Sequence, residues 1–522
     1  MHRVVVSELI AEPGLALLCE AGFDVDVRAD SSVEELRQAM AGAAGLIIRS
    51  ATQVDEALLD AAPDLLVVGR AGVGLDNVDV AAATKRGVMV VNAPESNITS
   101  AAEHTMAMLL AQARNIPQAH AALVAGRWER SKWEGVEVAG KTLGIVGLGR
   151  IGTLVAKRAQ AFGMTVVGHD PFVAADMGRR LDVELLDLAE LMSRADFVTV
   201  HVAKTPETIG LLGKDMFARS KPGQRIVNVA RGGIVDELAL AEAVRSGQLG
   251  GAAIDVFDSE PSLDSPLFDV AEIVVTPHLG ASTREAQDRA GVTIAEQVRL
   301  ALEGEFVPFA VNVDAGNASE PLRAHLPVCE QLGLLFANIV EQIPSTIDLE
   351  LRGAIGESDP SLGVLSFLKG LLTQMGGEPV SAVNASDVAK QRGIDVRVIT
   401  TSTARDHLNT VSVTGGGHRL AGSISAVDDQ PRLLEIDGHR LELRLSNHML
   451  IVRNEDVPGM VGHVGSVVGD AGINISNMHI GETEEGVAAL MVMAIDGVVS
   501  PGVQASLRAL SGVKSVTVVR LR

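Results

Sequence analysis

The sequence contains no tyrosine at all, and aromatic residues make up only 2% of its 522 positions. Stacking platforms for nucleic-acid bases are built from such side chains. Basic residues are also in deficit, 44 against 66 acidic ones, for a net charge of −22. An acidic chain with no long basic cluster argues against nucleic acid as a partner. The only two cysteines, Cys19 and Cys329, make no CxxC or zinc spacing, which fits a reducing cytoplasm and predicts no metal centre. No window reaches the ~18 uninterrupted apolar residues of a membrane span. The opening MHRVVVSEL runs straight into a strand pattern instead of a signal-peptide core. A cytoplasmic chain of three or four domains is expected, with no membrane partner. Any anionic substrate must then be captured by local arginines against an unfavourable overall field.

What is present is organised around Thr142 to Pro171. An apolar strand (Leu143 to Val146) runs into Gly147-Leu148-Gly149-Arg150-Ile151-Gly152. A helical stretch to Phe162 follows, then a strand (Thr165 to Val167) and Asp170. Strand, glycine turn, helix, strand and acid in this order make a dinucleotide site. Gly147 permits the tight turn, Gly149 the approach of a pyrophosphate, and Gly152 close helix–strand packing. The helix N-terminus faces the phosphates. Asp170 suits an adenosine ribose and repels a 2′-phosphate, so NAD is favoured over NADP.

Residues 1 to 97 alternate short strands (Arg3 to Val6, Phe23 to Val27, Gly45 to Ile48, Leu65 to Val68, Val88 to Val90) with helices (Val33 to Met40, Asp55 to Ala61). This alternation predicts a parallel doubly wound sheet. Ligands sit outside the carboxyl ends of such strands, which makes Arg49, beside Ser50, a candidate anion clamp and Gly72 to Gly74 a backbone nest. Ser100 to Glu103 reads as a capping box opening a helix that runs to about Ala125. Gly126 to Gly140, with Trp128 and Trp133, reads as an exposed excursion. A second doubly wound lobe follows Asp170. Its strands Phe197 to His201, Arg225 to Val229, Gly251 to Val256 and Glu272 to Val275 place Arg231, Glu260 and His278 near their ends. A helix from about Ser282 returns the chain to the first lobe, which Val307 to Val311 closes.

Oxidising a secondary alcohol needs a base for the hydroxyl proton and a hydride acceptor at the carbon. Histidine suits the first role because its pKa lies near neutrality. A carboxylate on its far nitrogen fixes the tautomer and steadies the imidazolium, which assigns Glu260 to His278 if the intervening loop folds back. Arg231 can grip an α-carboxylate and polarise the neighbouring carbonyl.

Together, Gly147–Gly152 with Asp170, Asn228 to Gly233, Asp255 to Pro261 and Thr276 to Gly280 resemble the D-2-hydroxyacid dehydrogenase family over residues 1 to 312. The resemblance implies that Arg231, Glu260 and His278 are catalytic. It also implies that Asp255 meets the nicotinamide side, and that Val202, Ala230, Arg231 and the turn His278 to Ala281, Gly280 included, line NAD. Arg70 to Asp79, with Val73 and Gly74, and Asn97 resemble the substrate loops of family members acting on 3-phosphoglycerate. Arg49, Ser50 and Asn97 then fall at the substrate phosphate. Two rivals stay open: a dehydrogenase of glyoxylate, hydroxypyruvate or lactate, and a catalytically idle NAD-sensing protein.

Beyond a polar linker (Asn312 to Glu320) and a helix (Pro321 to Gln342), residues to 446 predict an α+β domain. Val383-Asn384-Ala385 there resembles the intervening domain of the long phosphoglycerate-oxidising members. His418, Arg432, Arg440 and Arg444 make either an anion site or a solvated face. Residues 447 to 522 read β-α-β-β-α-β, a ferredoxin-like order. Asp456 to Gly459 and Gly472 to Ile475 are similar to an ACT regulatory domain. That resemblance implies L-serine as effector, held by Asn454, Asp456 and Asn474. The expected architecture is α/β. Two Rossmann-like lobes (1–97 with 283–312, and 98–282) precede the intervening domain (313–446) and the ACT domain (447–522). The expected assembly is a homo-oligomer, a tetramer, through Rossmann and ACT or intervening-domain contacts.

Overall fold

Five short strands pair in parallel in the order Asp24–Val27, Arg3–Val6, Gly45–Ile48, Val67–Arg70, Met89–Val91 to form the first sheet. The computed structural model describes residues 2–29, 31–313, 319–376, 380–404, 407–425, 428–481 and 488–521. Most of the linker after Asn312 and the start of the strand expected from Gly486 lie outside these residues. The inner strands of the first sheet are buried on both faces, which is why they read as continuous apolar runs. The helix Arg284–Glu303 packs Ile294, Ala295 and Val298 against Val4, Val6, Ile47 and Val67. Val307 to Val311 forms no strand; Ala310 makes a single bridge to Val91.

The second sheet has seven parallel strands, in the order Ile273–Val275, Leu249–Ile254, Gln224–Asn228, Phe197–Val200, Thr142–Val146, Thr165–His169, Glu184–Leu185. The order reverses at Thr142–Val146, and ligand crevices of doubly wound sheets form at such a switch point. The helix before this sheet corrects two expectations. It begins at Ile98 with Asn97 as its N-cap, so Ser100 lies inside it and bonds Thr283 Oγ1 at 2.7 Å instead of capping. It also ends at Ala113. Asn115 takes a left-handed conformation (φ 52°) before a separate helix, Ile116–Val124, which carries Pro117 in its first turn. Trp128, beyond it, is 82% exposed.

The third sheet is mixed: Asp395–Thr401, Thr346–Gly353, Asn409–Gly415, His418–Ile424, Pro431–Ile436, His439–Arg444. Its two outer strands escape sequence reading. The fourth sheet, Ile475–Gly481, Ala488–Ile495, His448–Glu455, Val513–Arg520, is antiparallel and has the ferredoxin-like order. One face carries its own helices, Met460–Asp470 and Pro501–Arg508. On the other, Met449, Ile451, Leu490, Val492 and Val519 join the core built around the helix Glu320–Ile339. The last two units therefore share one hydrophobic core. No helix among the described residues is long and apolar enough to cross a membrane.

Candidate active site

The dinucleotide turn is built by close approach. Gly147 has φ 94°, and a Cβ there would sit 2.5 Å from the His201 carbonyl oxygen. One on Gly152 would sit 2.1 Å from the Gly147 carbonyl oxygen, whereas one on Gly149 would meet nothing within 4 Å. The turn is thus packed from inside at its two ends and open at its middle. Gly149 is also the N-cap of the helix Arg150–Ala161, with no side chain bonded to the free N–H groups. Asp170, at the end of the next strand, accepts from Leu148 N (2.9 Å) and Phe172 N (2.9 Å). Open backbone donors, a helix terminus and a ribose-side carboxylate fit a dinucleotide. Val202 closes this crevice, its Cγ1 lying 2.8 Å from where a Gly147 Cβ would be.

His278 and Glu260 do meet. Nδ1 of His278 lies 2.6 Å from Glu260 Oε2, and Glu260 Oε1 accepts from Phe257 N at 2.9 Å. Burial raises the Glu260 carboxyl, but the bonds from His278 and Phe257 outweigh it and the net direction is downward. Such a carboxylate keeps the proton of the imidazole on Nδ1 and leaves Nε2 for a substrate. Asp255 is fully buried and builds the turn that carries His278: it accepts from Thr276 Oγ1 (2.5 Å), Leu279 N (2.7 Å) and Gly280 N (2.9 Å). His104 Nε2 stands 3.2 Å from the same carboxylate.

Arg231 leaves the strand Gln224–Asn228 through a turn clamped by Asn228, whose side chain bonds Ala230 N and Arg231 O, both at 3.0 Å. Its guanidinium reaches across the cleft to the first lobe. Nε is 3.6 Å from Asp76 Oδ2, and a Cβ on Gly74 would lie 2.7 Å from Nη2. Val73 is held through its carbonyl by Asn92 Nδ2 (2.7 Å).

A cavity of about 700 Å³ lies between the lobes, and Arg49, Ser50, Arg70, Asn97, Glu260, His278 and Ala281 all line it. Asn97 Oδ1 and Arg70 Nε are buried with no hydrogen-bond partner among the described residues. Burial and the neighbouring Arg231 lower the pKa of Arg70, with Asp76 and Glu8 acting the other way. Sequence reasoning did not single out His104, and it named Arg70 only within the resembling loop Arg70 to Asp79. Arg70 ends its strand as Arg49 follows the neighbouring one, and that shared edge was the available signal.

Elsewhere, on the third sheet, Arg432 and Arg444 stand opposite each other on neighbouring strands, while His418 lies apart from them. His418 pairs with Asp437 (2.9 Å), Arg432 with Asp428 (2.6 Å), and Arg444 bonds Gln430 (3.2 Å). Asn454 is inside the strand His448–Glu455, and its Oδ1 is buried with no partner among the described residues. Asp456 is exposed, and Asn474 bonds Asp496 at 2.8 Å.

Three family models match the chain. Residues 106–280 match the NAD-binding domain of the D-isomer-specific 2-hydroxyacid dehydrogenases. Residues 321–437 match the D-3-phosphoglycerate dehydrogenase intervening domain, and 448–512 the ACT domain. D-3-phosphoglycerate dehydrogenase of Mycobacterium leprae is 45% identical over 525 residues, 99% of each sequence. A crystal structure of a protein from Thermus thermophilus is 37% identical with a TM-score of 0.55, covering 59% of this chain and 99% of that one. The NAD-dependent formate dehydrogenase of Staphylococcus aureus, solved with NAD, is 32% identical with a TM-score of 0.52, covering 58% and 96%.

Proposed function

The chain belongs to the D-3-phosphoglycerate dehydrogenases, NAD-dependent oxidoreductases of the D-2-hydroxyacid dehydrogenase family, and we propose how its own residues oxidise 3-phospho-D-glycerate to 3-phosphohydroxypyruvate, the entry to L-serine synthesis. The observation that carries this reading is one cavity that has the His278–Glu260 pair on one wall and Arg49, Ser50 and Arg70 on another. It supplies a proton acceptor and a phosphate-sized set of cations to one small molecule.

His278 Nε2 takes the C2 hydroxyl proton, and Glu260 steadies the imidazolium that results. Arg231 holds the carboxylate. With a substrate bound, its Asp76 contact across the cleft is exchanged for the bidentate grip of a carboxylate. Arg49, Ser50 and Asn97 take the phosphate end, joined by Arg70. Bound NAD supplies the hydride acceptor. Gly149, Arg150 and Ile151 would hold its phosphates, and Asp170 its ribose. Val202, Ala230, Gly280 and Ala281 would line its nicotinamide side, and Asp255 would act there through the turn it holds. L-Serine binds the ACT domain at Asp456 and Asn474, near Asn454. The assembly is a cytoplasmic homotetramer.

The test is NADH oxidation with 3-phosphohydroxypyruvate and with hydroxypyruvate, wild type beside Arg49→Ala. The variant is expected to raise KM for the phosphorylated acid about 10- to 100-fold, as loss of a charge-assisted bond implies, with little change for hydroxypyruvate. Equal effects on both acids would remove Arg49 from the phosphate site.

A further inference from the structure

Glu8, Arg49 and Arg70 stand at the carboxyl ends of three adjacent strands, Arg3–Val6, Gly45–Ile48 and Val67–Arg70. The parallel pairing of these strands brings a carboxylate and two guanidinium groups to one edge from positions far apart in sequence.

The carboxylate of Glu8 is not spent on either guanidinium. Its Oε1 accepts from Arg49 N (2.9 Å) and Thr52 N (3.0 Å), and its Oε2 from Ser50 N (3.2 Å) and Ala51 N (3.1 Å). Four consecutive amides converging on one anion make a nest, here filled by the chain's own carboxylate. The other side of the same loop is held by Asn77, which is 8% exposed; its Nδ2 donates to Arg49 O (3.0 Å) and Thr52 O (2.7 Å). Residues 49–52 belong to no helix or strand, so these bonds are what fix them. The Arg49 side chain adds a bond from Nη1 to the carbonyl of Leu9, the residue after Glu8 (3.3 Å).

We infer that Glu8 is a positioning residue for substrate phosphate: through the amides of residues 49–52 it aims Arg49 and Ser50 into the cavity, and its charge offsets the repulsion between Arg49 and Arg70. The inference rests on the reading that Arg49 and Ser50 hold the phosphate. Glu8 touches no part of the substrate in this role. A purely structural Glu8 would affect every substrate alike, whereas a positioning Glu8 affects only those that carry the phosphate.

Two variants separate these cases. Glu8→Gln keeps the length but turns an NH2 group toward amide donors, and Glu8→Asp keeps the charge on a shorter stem. Each is assayed for NADH oxidation with 3-phosphohydroxypyruvate and with hydroxypyruvate, and amide hydrogen exchange is followed at residues 49–52. Glu8→Gln is expected to speed exchange there and to raise KM for the phosphorylated acid about tenfold, the scale of one hydrogen bond to a charged group. Its kcat, and both constants for hydroxypyruvate, should stay within about twofold, and Glu8→Asp should recover part of the KM loss. Equal losses on both acids, or an unchanged KM for the phosphorylated one, would overturn the role of Glu8. A wild type indifferent to the phosphate would instead overturn the underlying reading of Arg49 and Ser50, and the Glu8 role with it.

Discussion

His278 holds a backbone conformation, φ 54°, that residues with a side chain rarely adopt. It persists because Asp255 bonds the turn on both sides of it: the Asp255 carbonyl accepts from His278 N (2.8 Å) and its carboxylate from Leu279 N and Gly280 N. Strain concentrated at one residue and over-determined by its neighbours is a mark of functional sites. Here it delivers the imidazole to Glu260. Glu260→Gln is expected to lower kcat about 100-fold with KM changed less than about threefold, because the carboxylate acts on the imidazolium that forms during reaction. Stability follows a definite sign. Folding lowers the Glu260 carboxyl from its ordinary 4.5, so its contribution is fully present above that value and is lost as pH falls through the folded one. The Tm gap between wild type and Glu260→Gln should therefore be constant above about pH 4.5 and shrink below it. The sequence singles out Arg231, Glu260 and His278 as candidates because chemistry-bearing side chains near the ends of apolar strands stand out, and the His278–Glu260 contact is found in the fold. Glu8 and His104 do not stand out, because the contacts of Glu8 with residues 49–52 and of His104 with Asp255 exist only once the fold brings them near.

Among the elements, the glycine turn separates packing from ligand space most clearly. Gly149→Ala adds a methyl group into open space and should leave Tm within a few degrees while weakening NAD binding at least about tenfold, read by fluorescence titration. Gly152→Ala pushes the same group into the Gly147 carbonyl and should lower Tm itself. The helix that begins at Ile98 shows where sequence patterns mislead. Ser100 and Glu103 have capping-box spacing but lie one turn inside, because Asn97 starts the helix without a side-chain bond. The edge strand Asp395–Thr401 went unread for another reason: most of its residues are exposed on both faces, so it lacks the alternation that signals a half-buried strand. The inner strands, buried on both faces, were the easiest to find.

Across the whole molecule, the two ends of the chain are physically joined. The ACT sheet and the helix Glu320–Ile339 share one core. The ion pair of Asp437 with Arg453 crosses the same junction. Ser381 Oγ then bonds the carbonyl of Gly87 in the first lobe at 2.8 Å. A ligand at the ACT domain can alter the cleft only by binding two arrangements of these units unequally. Asp456→Asn is expected to abolish inhibition by L-serine while leaving uninhibited kcat unchanged, since Asp456 is exposed and far from His278 in the chain. The shared core was not legible in the sequence, which marks two domain patterns and says nothing of the face where they meet.

The most direct measurement is NADH formation from 3-phospho-D-glycerate beside D-glycerate, with wild-type enzyme and saturating NAD. A cavity that pairs His278 and Glu260 with Arg49, Ser50 and Arg70 predicts a kcat/KM at least about 100-fold higher for the phosphorylated acid, since half-buried cations lose their anionic partner with its analogue. Equal values, or a preference for D-glycerate, would contradict the assignment of that cavity to 3-phosphoglycerate.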